Sequence, residues 1–377
     1  CALVWHGKNP YSDEVTLQTQ IGMHGRPAGA GEDLAAFAYP LFALFFFWPL
    51  CFIHDYPLVQ AIWMTTMMYT LLAGVVLTAR VANWRTRPWV WAFTLVWSIL
   101  NYPHARALIL GQIATLVFLG LALALWALKR KKDILAGVAL AVTTIKPQMS
   151  FLIIPWFVWW SAWKRRWGLW KGFSLTMLLL IGVSLALVPT WIGDFVQDVR
   201  NYSNSWTKPY GASDQSLEST ESQQGGEPVR DYGSLTWIIV RNLLGLGPVP
   251  EALAVALLSL WTFWVGWQER RADWSKFLWV TGFILIVTNF IAPRTATTHY
   301  TMLLLPFFAW LSRLEQHVGR RAWLAIIGVE AVVLGAQWVI FLTTLHEGFE
   351  SALIYLPFPL LMLAMQVLGY HPREGAA

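Results

Sequence analysis

Long apolar stretches separated by short polar or basic turns run through most of the chain. They fall at 36–53, 57–79, 89–102, 107–128, 134–146, 149–163, 172–189, 249–267, 277–291, 301–312, 322–341 and 352–369. A helix needs about 20 apolar residues to cross a bilayer upright, so the longer stretches each qualify as a span. Those at 134–146 and 149–163 are short, with Lys146-Pro147 between them. They read as a hairpin of abbreviated helices whose turn sits in a protein-lined cavity, because irregular backbone cannot face lipid. Pro40, Pro49 and Pro57 punctuate the first stretch. It is either a full span or a dip into the membrane that leaves 1–34 outside.

The alternation stops at 190–248, which holds no continuous apolar run and has a Ser/Gln/Gly/Glu-rich centre at 213–228. This reads as a large external loop, with SLTWIIVRNLL (234–244) a short amphipathic helix along the interface. The expectation is an all-α polytopic membrane protein of about 11–12 transmembrane or re-entrant helices. It forms one transmembrane domain over 1–369, with 1–34 as first external loop and 370–377 as cytoplasmic tail.

Composition narrows the classes. The 377 residues are 56% hydrophobic and 13% charged, where soluble domains carry roughly 25% charged residues. So little polar surface excludes a soluble enzyme, a disordered chain and a nucleic-acid-binding domain, despite the net charge of +6. The 25 Trp fit an interface belt plus packing. Two cysteines, Cys1 and Cys51, make no disulfide framework, and no His/Cys cluster predicts a metal; no cofactor is expected either. The chain opens at Cys1 with no charged and apolar leader before it, which reads as a chain cut at its N-terminus rather than a lipidated cysteine.

Basic residues set the orientation. Clusters at Arg80/Arg85/Arg87, Lys129-Arg130-Lys131-Lys132, Lys164-Arg165-Arg166/Lys171, Arg270-Arg271/Lys276, Arg313/Arg320-Arg321 and Arg373 hold 18 of the 27 Lys and Arg. The positive-inside rule places all six in the cytoplasm. One path from residue 89 satisfies every cluster and leaves the turns near 103–106, 146–149, 190–248, 292–300 and 342–351 outside.

Against that pattern, Arg106, Lys146 and Arg294 lie between apolar helices on the external side, with His104 and His299 beside them. A charge near the apolar zone costs several kcal/mol unless paired or hydrated, so it faces a cavity. The chemistry this grouping suits is binding an anionic group such as phosphate. Each has a plainer alternative: Lys146 snorkelling to the headgroups, or the others capping helix ends. Gln112 follows Gly111 at the outer start of a helix. Glu330, deep in 322–341, reads as a hydrogen-bonded structural carboxyl rather than a proton relay.

Five segments in order resemble a known family: GKNPY (Gly7–Tyr11), FAYPLFALFFFWPL (Phe37–Leu50), LGQIATLVFLGLAL (Leu110–Leu123), AGVALAVTTIKPQMSFLIIP (Ala136–Pro155) and APRTATTHYTMLLLP (Ala292–Pro306). Together they resemble glycosyltransferase family 87, polyprenyl-phosphate-mannose-dependent mannosyltransferases of the GT-C superfamily. The resemblance implies a multispanning helical fold in a bacterial plasma membrane with the active site outside. It implies transfer of a hexose, mannose, from a polyprenyl-phosphate-linked donor to a hydroxyl of a lipid or glycan acceptor, with inversion. It also implies a catalytic Asp a little upstream of the G-x-N-P-Y motif, a position that precedes Cys1. Asp13, Glu14, Glu32 and Asp33 share the first loop, and Asp33 is the candidate base within this chain.

His299 matches the family's late His, and Lys146 the Lys of its I-K-P segment. Charge developing on a departing lipid phosphate is what external cations would stabilise, while a carboxylate deprotonates the acceptor. The candidate catalytic residues are therefore His299 and Asp33. The candidate substrate-binding residues are Lys146, Arg294, Arg106, His104, Gln112 and Tyr11. Two rival readings are a transporter or lipid flippase and a polysaccharide polymerase or ligase.

Overall fold

A computed structural model of the chain describes residues 4, 6–27, 35–53, 55–204, 233–345 and 351–368. Among them there is helix, turn and coil but no strand, and the chain is an all-α polytopic membrane protein. It divides into two compact units: residues 1–59 with 178–231, and residues 60–177 with 232–377.

In the first unit, helix α1 is Asp13–His24 and Ser12 caps it, its Oγ accepting from the Val15 amide. The stretch expected at 36–53 is not one helix. Residues Leu41–Phe52 form three short helical pieces, 3-10, α and 3-10. Twelve residues are too few to cross about 30 Å of hydrocarbon, so Leu41–Phe52 is no single membrane-crossing helix. Pro40 and Pro49, each without an N–H donor, mark its start and its interior.

The second unit holds most of the remaining helices: α2 (Tyr56–Val81), α3 (Pro88–Leu100), α4 (Tyr102–Ile109), α5 (Ala114–Lys129), α6 (Asp133–Val142), α7 (Ile153–Trp163) and α8 (Trp167–Leu187). Helix α2 begins in the first unit and α8 ends there. Helix α9 (Trp191–Asn204) belongs to the first unit, and α10 (Pro248–Gln268), α11 (Trp274–Ile291), α12 (Leu304–Val318), α13 (Ala322–Thr344) and α14 (Pro357–Leu368) complete the second. Five of these, α2, α8, α10, α11 and α13, are individually long and apolar enough to cross a membrane. Helices α4 and α5 together make a sixth candidate, bent by 117°. The bend falls at Gly111, whose φ of +60° lies in the left-handed region. Trp63 of α2 pins the turn by donating Nε1–H to the Gly111 carbonyl at 2.8 Å.

Two contacts show how the bundle is built. Helices α6 and α8 cross on glycine: a Cβ at Gly137 would lie 2.2 Å from the Leu169 carbonyl oxygen, and one at Gly172 would lie 2.2 Å from the Ile134 oxygen. Small residues let membrane helices approach this closely, and Gly168 and Gly172 form the one-turn repeat that does so. Helices α3 and α13 run parallel. Trp89 meets Trp323 at 5.0 Å between rings, Thr94 Oγ1 donates to Glu330 Oε1 at 2.8 Å, and Trp338 Nε1 donates to the Leu100 carbonyl at 2.8 Å. The path read from the basic clusters has both helices running outward. Glu330 is fully buried, and Trp97 Nε1 donates to its backbone carbonyl at 2.7 Å.

Candidate functional site

In the second unit three breaks in helical structure come together. The first is the α4–α5 bend. The second is the break from Thr143 to Ser150, where a 3-10 turn (Thr143–Ile145) ends at Lys146 and Pro147 starts a new turn. Proline at the first helical position disfavours α geometry in the residue before it, and Lys146 sits at φ −131°, ψ 80°. The third is the 3-10 segment Thr297–Leu303 between α11 and α12, in which every residue is buried.

The break places Lys146 inside the protein. It is 4% exposed, and its ammonium donates to Gln112 Oε1 at 3.0 Å. Among the described residues no carboxylate stands within ion-pair distance of it. His299 is likewise 4% exposed. Burial first, then the charges of Lys146 and Arg294, hold its imidazole well below the ordinary histidine range. Burial also lowers the Lys146 ammonium, to about 7, so both buried groups are held toward their neutral forms. Arg106 of α4 is tied to the same segment, its Nη1 donating to Thr297 Oγ1 at 2.8 Å. Thr301 Oγ1 lies 3.5 Å from the Ala114 carbonyl of α5. Lys146, Gln112, His299, Arg294 and Arg106 thus share one neighbourhood, linked by hydrogen bonds and by electrostatic coupling.

The other candidates fall differently. His104 is fully buried, its ring edge-on to Trp97 at 6.0 Å, a helix-packing contact. Tyr11 belongs to the first unit; its hydroxyl donates to the Tyr39 carbonyl at 2.7 Å and its ring packs on Phe37. Asp33 lies outside the described residues.

The first unit also joins residues to which the sequence alone gave no role, Asn9, Asp194 and Asp198. Asn9 of the GKNPY segment accepts the Tyr11 amide at 3.1 Å through Oδ1 and donates Nδ2–H to Asp194 Oδ2 at 2.7 Å. Thr190 Oγ1 donates to the same oxygen at 2.6 Å. Asp198, one turn further along α9, is pushed up to about 6 by burial and by the carboxylates of Asp13 and Asp194. The same burial, with Asp198 and Asp194, keeps the Tyr11 phenol well above its ordinary range. The signal in the sequence was the spacing of Asp194 and Asp198, which sets both on one face of a helix. A cavity of about 230 Å³ lies nearby in this unit, lined by Pro10, Val15, Thr16, Thr19, Phe37 and Leu44 among others. No group of three metal-ligating side chains occurs among the described residues.

A bundle of membrane-crossing helices, several broken where their ends converge, defines a polytopic all-α membrane protein. The chain belongs to glycosyltransferase family 87, whose pattern matches residues 37–289. It is also similar to an alpha-(1->3)-arabinofuranosyltransferase of Corynebacterium glutamicum, 22% identical over 268 residues that cover 68% of this chain and 56% of that protein. The chain therefore spans about half the length of the curated relative it matches. No solved structure matches the chain.

Proposed function

We propose that this membrane glycosyltransferase moves a mannosyl residue from a polyprenyl-phosphate donor to an acceptor hydroxyl on the external face of a bacterial plasma membrane. The observation behind this reading is Lys146: an ammonium nearly free of solvent, held by a neutral amide and lacking a carboxylate among the described residues. A buried charge costs several kcal/mol unless compensated, and a phosphate compensates it in the bound state. Lys146 and Arg294 take the phosphate oxygens, Arg106 assists from α4, and His299 donates one hydrogen bond to the phosphate or to the base. As the bond between the anomeric carbon and the phosphate oxygen breaks, negative charge grows on the departing polyprenyl phosphate, where these groups oppose it. The acceptor oxygen bonds to the anomeric carbon from the opposite face, and its proton passes to a first-loop carboxylate, with Asp33 the candidate in this chain. Gln112 positions Lys146.

The arabinofuranosyltransferase activity of the corynebacterial relative favours a second reading, in which the transferred sugar is arabinofuranose and the phosphate-binding chemistry is unchanged. The deciding experiment reconstitutes the full chain in vesicles with radiolabelled polyprenyl-phosphate-mannose, and in parallel the arabinofuranose donor, and follows label into acceptor. Transfer by the wild type and none by Lys146→Ala supports the proposal, and the productive donor names the sugar. Uptake of a solute down an imposed gradient, with neither donor consumed, would replace it with a transporter.

A further inference from the structure

Helix α5, 16 residues long, leads away from Gln112 to a different kind of site. At 1.5 Å per residue its far end lies roughly 24 Å from the buried lysine. There the turns 129–133, 163–171 and 269–276 meet. Arg166 joins the first two: its guanidinium pairs with Asp133, Nε at 3.1 Å from Oδ2, and Nη2 donates to the Leu128 carbonyl at 2.7 Å. Lys164 joins the last two, its ammonium donating to the Arg271 carbonyl at 2.8 Å. The three turns carry eleven Lys and Arg against Asp133, Glu269 and Asp273. Asp133 is engaged by Arg166, Glu269 lies 3.7 Å from Lys276, and Asp273 caps α11.

The arrangement around Trp163 is the informative one. The Arg270 guanidinium lies 5.4 Å from the centre of its ring and that of Arg271 lies 5.3 Å from it, so two like charges share one indole. Arg270 also stacks at 4.8 Å on Trp267. Neither Lys164 nor Arg271 has a carboxylate within ion-pair distance among the described residues. Three cations gathered with no carboxylate within ion-pair distance among the described residues repel one another, and cation–π contacts offset only part of that. An anion placed between them relieves it. Trp163 and Trp267 are 40% and 45% exposed, and half-exposed indoles beside cations are the side-chain mix of the headgroup layer.

We propose that the convergence of Trp163, Lys164, Arg270 and Arg271 is a binding site for the phosphodiester headgroup of an anionic phospholipid, of the phosphatidylglycerol class. The diester takes its charge compensation from Arg271 and Lys164 while the two indoles lie against the glycerol and upper acyl region. The exposed tryptophans select a lipid over a free anion, which has no apolar part to set against them.

The test uses the full chain in nanodiscs of phosphatidylcholine with and without phosphatidylglycerol, reading thermal midpoint and the number of phosphatidylglycerol molecules retained in native mass spectrometry. The wild type should gain stability and retain the anionic lipid. Lys164→Gln with Arg271→Gln should cut the affinity about ten- to thirty-fold and lose the gain in midpoint that phosphatidylglycerol gives over the same variant in pure phosphatidylcholine. Arg85→Gln with Arg87→Gln, in a separate basic turn, should leave lipid retention as in the wild type. Equal loss in both double variants would reduce the effect to general surface charge and overturn the site. Equal stabilisation by inorganic phosphate in pure phosphatidylcholine would overturn the lipid in favour of a free-anion site. If Lys164→Gln with Arg271→Gln unfolds the protein, Arg271→Lys, which keeps the charge but loses the planar guanidinium, should still weaken retention, and full retention would overturn the proposal. None of these readouts depends on sugar transfer.

Discussion

The ammonium of Lys146 donates to the side-chain carbonyl of Gln112 at 3.0 Å, across two helix breaks 34 residues apart in sequence. That bond joins a buried amine to a neutral partner and uses one of the three protons of its charged form. Removing the charge with Lys146→Ala is expected to lower kcat/KM for transfer by roughly 100- to 1000-fold, the usual effect of deleting one preorganised donor to developing negative charge. Gln112→Ala keeps the charge and loses its orientation, for a loss of roughly tenfold or more. Steady-state kinetics on both variants decides it; a Gln112→Ala loss as large as that of Lys146→Ala would mean the amide itself contacts substrate.

Gly111 should tolerate no side chain. Its φ of +60° disfavours any L-residue, and a Cβ there would approach the Trp63 ring at 3.0 Å. Gly111→Ala is expected to cost about 1–2 kcal/mol from the left-handed backbone alone and to lower transfer by moving Gln112. A thermal midpoint equal to that of wild type would mean the bend does not depend on glycine.

The α6–α8 crossing rests on direct backbone contact, so Gly172→Ala forces the two helices apart. A lower yield of monodisperse protein in size-exclusion chromatography is expected, while Gly182→Ala, where a Cβ meets nothing within 4 Å, should behave as wild type. Equal yields for both would remove glycine from the account of this crossing.

Asp198 predicts a pH dependence of stability. Folding raises its pKa to about 6, against about 3.9 in an unfolded chain. The folded state therefore binds the extra proton between these values, and stability falls as pH rises through that window. Asp198→Asn should flatten this part of the curve of thermal midpoint against pH. His299 acts in the opposite sense. Its folded pKa is depressed, so its share of stability is complete above about pH 6.5 and is lost as pH falls. The transfer rate is expected to show no acid limb from His299 near its ordinary range; a limb at that pH that disappears in His299→Gln would contradict the burial and the flanking charges.

Much of the fold was legible because apolar periodicity in a membrane protein records burial in lipid directly. The stretch 57–79 became α2 at Tyr56–Val81, 249–267 became α10 at Pro248–Gln268 and 322–341 became α13 at Ala322–Thr344. The break at Lys146-Pro147 was legible too, from the restriction proline places on the residue before it. The division of 41–52 into three short helical pieces was left open, because hydropathy measures apolar length and not where proline interrupts a helix. The acidic residues of α9 were passed over, because a carboxylate in a polar stretch gives no sign of being half-buried against a distant asparagine.

By itself, then, the sequence determined the solvent of this protein, the number and rough limits of its apolar segments, and the presence of cations where lipid tolerates none. These properties depend on residues near one another along the chain. Tertiary structure alone decided that Lys146 meets Gln112, that Arg106 meets Thr297, that Asn9 holds Asp194, and that two arginines share the ring of Trp163. Each of those pairings joins segments far apart in sequence. Their distances are set by helix length, by the angle of each break and by the closeness that glycine allows at a crossing, none of which a linear pattern encodes.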